Sequence, residues 1–241
     1  MSGYVYELKQ YYASRAGRMV RRLLQAYIHD FWPDVKGKRI LGYGYAVPFL
    51  KALQDDAVQV FGLMPAGGGV HHWQQKGVNK VAVTLEDFIP LETESVDLIL
   101  ITHGLEFSTA PEEMLAEMWR VLKSNGRMIV VVPNRLGMWA RVEHTPFGHG
   151  KPYTSTQLTG LLNKALFVCE RKSRALFMPP FKSFLVLRTA YAMESFGKYI
   201  FPGLSGVHVF EVSKQVYAGA LKQETKKAQG RRILVADSVG T

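Results

Sequence analysis

One stretch decides the fold class, Ser95-Val-Asp-Leu-Ile-Leu-Ile-Thr-His-Gly-Leu-Glu106 followed by Pro111-Glu-Glu-Met-Leu-Ala-Glu-Met-Trp-Arg-Val-Leu-Lys-Ser-Asn-Gly-Arg-Met-Ile-Val-Val-Val-Pro-Asn134. The largely apolar runs 96–102 and 127–132 predict two buried strands. Between them, Pro111 and two acids start a helix, and an Asn-Gly pair ends it. Because buried strands separated by helix-length segments are typical of parallel sheets, both faces of this sheet should be covered.

The same alternation continues on both sides of this stretch. Further strands are predicted at 39–42, 57–63, 79–84, 167–177 and 207–216, with a helix starting at Ser155 and an apolar helical segment at 181–200. An amphipathic helix from Tyr12 to Phe31 precedes them, with Arg18 and Arg22 on its polar face. The sequence therefore predicts an α/β, doubly wound, mainly parallel sheet. We expect an N-terminal helical arm over 1–35, one domain over 36–221, and a basic, flexible tail over 222–241.

Composition limits the class of protein. The 241 residues, 47% of them hydrophobic, suffice for one sizeable core. A single cysteine excludes an internal disulfide, no apolar leader opens the sequence, and no apolar run is long enough to cross a bilayer, so a cytoplasmic protein is expected. The net charge of +10 is concentrated near the two ends. We interpret these clusters of basic residues as solvent-exposed surfaces rather than as a nucleic-acid-binding site, since no RNA-binding signature accompanies them.

Residues 95–134 resemble the fourth-strand to fifth-strand block of type 11 class I S-adenosylmethionine-dependent methyltransferases. The resemblance covers residues 38–135 well and the remainder loosely. More narrowly, Gly42-Tyr-Gly-Tyr-Ala-Val-Pro48 together with 132–141 and 145–153 is similar to an alphaproteobacterial subgroup of methyltransferase-like proteins. The resemblance implies the Rossmann-like class I methyltransferase fold, S-adenosylmethionine as cofactor, and methyl transfer as the reaction.

The predicted cofactor loop departs from the family pattern. Gly42 and Gly44 allow backbone to approach a ligand closely. The family usually begins this loop with a carboxylate and carries two further glycines, whereas Gly42, Ala46 and Pro48 stand at those positions here. The family also places an acid at the end of the second strand, where this chain has Met64. A charged hydrogen bond lost there weakens binding by about 1.5–3 kcal/mol, or roughly ten- to a hundred-fold.

Other residues are candidates for the same site. Glu86 and Asp87 follow the third strand, one or two positions after the place where the family holds adenine with an acid, although a solvated loop is an equally good interpretation. His103 and Glu106 follow the fourth strand, at the edge where parallel sheets bind ligands, and a carboxylate suits a cationic sulfonium. The predicted cofactor-binding set is Gly42, Gly44, Tyr45, Met64, Glu86, Asp87, His103 and Glu106.

The acceptor site is predicted in the loop after the fifth strand. His144, His149 and Tyr153 are candidates to accept a proton from the methyl acceptor, with ordinary loop packing as the alternative. This loop and the apolar segment 181–199 favour a small or medium-sized, partly apolar acceptor over a nucleic acid. His71 and His72 lack metal-ligand spacing and are interpreted as surface histidines, so no metal is predicted.

Two other functions compete with methyl transfer. A nicotinamide dehydrogenase is disfavoured, because Gly42-x-Gly44-x-x-Val47 lacks the third glycine or alanine and no acid follows about twenty residues later. A non-catalytic, methyltransferase-like binding module is the stronger alternative, since the altered glycine loop is compatible with a loss of normal cofactor use.

Overall fold

The computed structural model of the chain describes residues 4–75, 77–180, 184–200 and 202–214. Its main sheet has seven strands: β1 Arg39–Gly44, β2 Gln59–Pro65, β3 Val81–Thr84, β4 Val96–Thr102, β5 Leu122–Pro133, β6 Phe167–Ala175 and β7 Val207–Lys214. They lie in the order β3-β2-β1-β4-β5-β7-β6. Strand β7 runs antiparallel to both of its neighbours, and the other pairs are parallel. The predicted fold class is confirmed.

Six α-helices accompany the sheet: α1 Tyr4–Ala13, α2 Arg15–Phe31, α3 Val47–Leu50, α4 Pro111–Val121, α5 Ser155–Lys164 and α6 Phe184–Ile200. Short 3-10 turns occupy Leu105–Phe107, Trp139–Arg141, Pro146–Gly148 and Pro202–Leu204. Two further strands of two residues each, Gln74–Gln75 and Val78–Asn79, pair antiparallel outside the main sheet. Every helix in the described ranges is too short or too polar to span a membrane. Residues 181–183 and the predicted tail 222–241 lie outside the described residues.

The two faces of the sheet carry separate hydrophobic clusters. Alternate side chains of a strand point to opposite faces, so Ile40 belongs to the cluster beneath α1, α2, α3 and α6, whereas Leu41 belongs to the cluster beneath α4 and α5. Val130 and Val131 of β5 divide in the same way. The uninterrupted apolar strands are therefore explained by burial on both faces.

The N-terminal arm consists of two helices rather than the single helix predicted from Tyr12 to Phe31. Ser14 separates them, and its Oγ accepts the Gly17 backbone N–H at 3.0 Å, which caps α2. A Cβ on Gly17 would lie 2.0 Å from the Tyr11 carbonyl oxygen, so the tight corner requires glycine. Both helices contribute to the same hydrophobic cluster as the central strands. The arm is therefore packed into the core of the domain.

Candidate functional site

A cavity of about 250 Å³ lies at the carboxyl ends of β1, β2 and β4. This is the edge at which doubly wound sheets bind ligands. Side chains of α1 form one wall, which we call the roof, and loops after the strands form the others. The lining residues are Tyr4, Val5 and Leu8 of the roof, with Gly44, Tyr45, Met64, Pro65, Ala66, Gly67, Gly68, Glu86, His103, Gly104, Phe107 and Thr109.

The cavity brings together part of the cofactor-binding set predicted from the sequence. Its lining includes the predicted residues Gly44, Tyr45, Met64, Glu86 and His103. The position of α1 over the cavity was not predicted, because the apolar stripe of the arm does not itself indicate which edge of the sheet the arm covers. The backbone N–H of Val5 donates to the Gly68 carbonyl oxygen at 3.0 Å, which ties the roof to the loop after β2.

The remaining members of the predicted set lie elsewhere. Gly42 is buried under α3, where an added Cβ would lie 2.5 Å from Leu50 Cδ1. Its role in the structure is thus close packing of α3 on β1. Asp87 is exposed and is not among the lining residues. Glu106 is buried in the short turn between the lining residues Gly104 and Phe107.

The backbone at the end of β4 passes so close to Gly44 that it leaves no room for a side chain there. Its φ is +76°, and a Cβ there would lie 2.5 Å from the Thr102 carbonyl oxygen and 2.7 Å from that of His103. The next residue, Tyr45, donates its backbone N–H to the Thr102 carbonyl at 2.8 Å. Glycine is therefore required for the close approach of β1 to β4. The following helix, α3, has only four residues, so it offers little helix dipole to a ligand.

Glu86 stabilises the wall of the cavity through hydrogen bonds. Its Oε2 accepts hydrogen bonds from Ser108 Oγ at 2.7 Å and from the backbone N–H groups of Thr109 and Ala110 at 3.0 and 3.1 Å. These bonds hold the chain that leads into α4. The carboxylate that the sequence offered for the cofactor is thus partly used to shape the cavity.

A buried chain of three polar side chains runs from α1 to the turn after β4. Tyr12 Oη lies 2.7 Å from His103 Nε2, and His103 Nδ1 lies 3.2 Å from Glu106 Oε1. Burial raises the pKa of Tyr12 well above its usual value, so the hydroxyl keeps its proton. When this O–H donates to Nε2, the ring proton of His103 lies on Nδ1, on the side of Glu106. Both Glu106 oxygens are buried without a hydrogen-bond partner among the described residues.

His103 is also strained. It has a φ of +49°, which is uncommon for a residue with a side chain and is concentrated at functional sites. Tyr12 was assigned only to the apolar stripe of the arm. A buried tyrosine hydroxyl usually has a hydrogen-bond partner. The tyrosine in this apolar stripe therefore indicated that a polar group would lie opposite it, although not which one.

Tyr45 extends an aromatic cluster behind the cavity. Its hydroxyl lies 3.0 Å from His71 Nδ1, and its ring stacks on His71 and on Tyr12 with centroid distances of 5.6 and 5.9 Å. Burial lowers the pKa of His71, which favours the neutral ring. The interpretation of His71 as a surface residue was wrong, since it is half-buried in this cluster, whereas His72 is exposed.

The three acceptor candidates lie outside the cavity lining. His144 Nε2 donates to the Pro180 carbonyl at 2.9 Å, and His149 Nε2 donates to the Glu143 carbonyl at 2.8 Å. Tyr153 is half-buried, and burial followed by the charge of Glu106 raises its pKa. The Lys151 backbone N–H donates to the Glu106 carbonyl at 2.7 Å, so this loop packs directly on the turn after β4.

The apolar segment expected over the acceptor site lies elsewhere. Helix α6 packs beside α2 and β6 on one face of the sheet, and none of its described residues lines the cavity. Within the described ranges, His, Cys, Asp and Glu side chains form no cluster of three that suits a metal ion.

Residues 41–130 match the family model described as a methyltransferase domain. This part of the chain is therefore similar to methyltransferase domains. No curated protein sequence matches the chain significantly.

Solved structures that are described as methyltransferases share the fold of this chain. One is an S-adenosylmethionine-dependent methyltransferase of Thermotoga maritima, described as a possible histamine N-methyltransferase, with 19% identity, a TM-score of 0.60, and coverage of 88% of this chain and 96% of the other. A second is the methyltransferase in complex with the Trm112 activator from Haloferax volcanii, with 15% identity, a TM-score of 0.60, and coverage of 88% and 99%. A third is an S-adenosylmethionine-dependent methyltransferase of Mesorhizobium loti, with 13% identity, a TM-score of 0.56, and coverage of 78% and 96%.

The match to the family model makes S-adenosylmethionine the ligand to compare with this cavity. The residues present fit a cationic group, because Glu106 is buried beside the cavity and both of its oxygens accept no hydrogen bond from the described residues. The end of β2 differs from the pattern that the family resemblance implies. Met64 lines the cavity where the resemblance places an acid, and Glu86 is the one acidic side chain among the lining residues.

Proposed function

We propose that the domain transfers a methyl group from S-adenosylmethionine to a small or medium-sized, partly apolar acceptor at this cavity. The observation that carries the proposal is the convergence of Gly44, Tyr45, Met64, Glu86 and His103 on one cavity at the carboxyl edge of the sheet. That edge is the ligand site of doubly wound folds in general.

The lining residues would hold the cofactor, which supplies an electrophilic methyl group on a cationic sulfur. The tight turn at Gly44 brings backbone to the cavity, and Met64 and the roof residues Val5 and Leu8 offer apolar walls. The roof would also exclude water from the reacting atoms, while the walls hold them in line. The buried Glu106 carboxylate would favour the cationic cofactor over its neutral product.

An acceptor O–H or N–H group must lose its proton as its new bond to carbon forms. Within the chain of Tyr12, His103 and Glu106, His103 is the member that lines the cavity. His103 Nε2 would take the proton of the acceptor in place of its hydrogen bond to Tyr12, and Glu106 would stabilise the resulting imidazolium. This chain is a stronger candidate than His144 or His149, because His103 lines the cavity whereas those two histidines lie outside its lining.

The alternative function is a non-catalytic binding module with a methyltransferase fold. Two observations favour it: Met64 replaces the acid expected at the end of β2, and the cavity of about 250 Å³ lies below the roughly 300–1,000 Å³ usual for ligand pockets. A module of this kind would use the same surface without turning over a cofactor.

Transfer of a radioactive methyl group separates these functions. The purified protein is incubated with methyl-labelled S-adenosylmethionine and a cell extract, which is then divided into small-molecule, RNA and protein fractions. We expect label in the small-molecule fraction, reduced at least roughly a hundred-fold by His103→Asn if the proton chain operates. Label in RNA would refute the acceptor class. Absence of both transfer and cofactor binding would favour the module.

A further inference from the structure

Helices α2 and α6 lie side by side and present their outer faces to the same side of the molecule. Tyr27 of α2 donates its hydroxyl to Glu194 Oε1 of α6 at 2.8 Å, and Lys198 Nζ lies 4.5 Å from the centre of the Tyr27 ring. Both helices pack on the same face of the sheet. Their outer faces therefore form one continuous surface, which we call the α2–α6 surface.

The outer face of α6 carries several large apolar side chains. Phe196, Tyr199 and Ile200 are 66%, 87% and 60% exposed, and Tyr191 of the same helix and Leu204 of the following 3-10 turn are also exposed. Tyr191 and Tyr199 are eight positions apart and Phe196 and Ile200 are four apart, so these side chains form two adjacent rows on the exposed half of the helix, which together we call the stripe. Contiguous exposed apolar side chains of this extent mark interaction sites.

The neighbouring outer face of α2 is basic. Arg15, Arg18 and Arg22 are exposed along it, and Arg188 is exposed on α6. The two helices contain only two acidic residues. Asp30 forms an ion pair with Arg171, and Glu194 is buried.

The buried carboxylate contributes nothing to the surface. Glu194 accepts hydrogen bonds from the Tyr27 hydroxyl and from the backbone N–H groups of Leu176 and Phe177. Of the acidic residues that α2 and α6 themselves contribute, Asp30 at the far end of α2 is thus the one that reaches the surface.

We propose that the α2–α6 surface docks on an anionic lipid bilayer, with α6 lying in the plane of the interface. Aromatic and aliphatic side chains of the stripe would enter the boundary between headgroups and acyl chains, and the arginines would contact anionic headgroups. Tyrosine suits this boundary because its ring is apolar and its hydroxyl is polar. The inference does not depend on the proposed function.

Other occupants fit the surface less well. An RNA would stack its bases on the aromatic rings and contact the arginines, but it would leave Ile200 and Leu204 without an apolar partner. A second copy related by two-fold symmetry would bring the α2 arginines of both copies close together, which opposes association.

Sedimentation with vesicles tests the proposal on the full-length protein. Phosphatidylcholine vesicles with and without phosphatidylglycerol serve as probes, and bound protein is measured across a salt series. We expect binding to the anionic vesicles that weakens as salt rises. The double variant Phe196→Ser/Tyr199→Ser should lower the partition coefficient at least roughly tenfold. The substitutions Arg18→Gln and Arg22→Gln should each lower it roughly fivefold.

Matched controls keep the test specific. The variant Val58→Ser/Phe88→Ser removes an exposed apolar and an exposed aromatic side chain outside this surface, and it should bind vesicles as the wild type does. Circular dichroism and urea unfolding verify that each variant is folded.

Several results would overturn the proposal. One is absence of binding to anionic vesicles, and another is equal binding by the Phe196→Ser/Tyr199→Ser variant. A dimer in sedimentation velocity that this variant abolishes would assign the surface to a second copy. Salt-sensitive RNA binding lost in the same variant would assign it to RNA.

Discussion

Gly44→Ala should destabilise the protein far more than Gly67→Ala, although both glycines line the cavity and both have positive φ, +76° and +97°. The left-handed conformation costs alanine about 1–2 kcal/mol at either position. At Gly44 the new Cβ would also lie 2.5 Å from the Thr102 carbonyl oxygen, whereas at Gly67 nothing lies within 4 Å. Overpacking against a backbone that is fixed in the sheet adds about 1–3 kcal/mol.

Urea unfolding followed by circular dichroism measures this difference. The free energy of unfolding should fall by about 2–5 kcal/mol in Gly44→Ala and by about 1–2 kcal/mol in Gly67→Ala. The denaturant slopes of both variants should match the wild type, so that the midpoints report stability. Equal losses in the two variants would refute the claim that the crossing of β1 and β4 requires glycine at position 44.

Three further changes test other parts of the account. Tyr12→Phe should lower the free energy of unfolding by about 1–3 kcal/mol, because it leaves the buried Nε2 of His103 without its partner; an unchanged urea midpoint would contradict this. Burial lowers the pKa of His208 from 6.5 to about 4, so below pH 6.5 the unfolded chain binds this proton first and stability falls, by up to about 3 kcal/mol near pH 4. His208→Leu should flatten that part of the pH–stability curve, and an identical slope would exclude the histidine as its cause. Deleting residues 1–31 should expose the apolar sheet face and cause aggregation, whereas a soluble, equally stable truncation would make the arm a detachable element.

The parallel sheet was predictable because its central strands are buried on both faces. Residues 96–102 and 127–132 have no polar alternation, and this pattern is directly visible in the sequence. The break at Ser14 was not predictable in the same way. The apolar stripe continues through it, and the tight contact between Gly17 and the Tyr11 carbonyl oxygen exists only after α1 has turned away from α2.

Part of the cavity was predictable because topology places the ends of parallel strands at one edge. Tyr45, Met64 and His103 were found from that rule. The contact between Tyr12 and His103 joins residues that are 91 positions apart, and no local pattern specifies such a pairing. The hydrogen bonds that occupy Glu86 likewise depend on where the chain before α4 passes.

Calorimetric titration with S-adenosylmethionine tests the central claim, with Gly68→Val as the variant that narrows the cavity. Gly68 lines the cavity, and an added Cβ would make only ordinary contacts of 3.8 Å with Pro65 and Val5, so the fold should tolerate the change. Gly160→Val, at an exposed position of α5 with nothing within 4 Å, is the control. We expect the wild type and the control to bind equally and Gly68→Val to bind at least roughly tenfold more weakly. No heat of binding by the wild type at millimolar cofactor, or equal affinity in Gly68→Val, would contradict a cofactor site in this cavity.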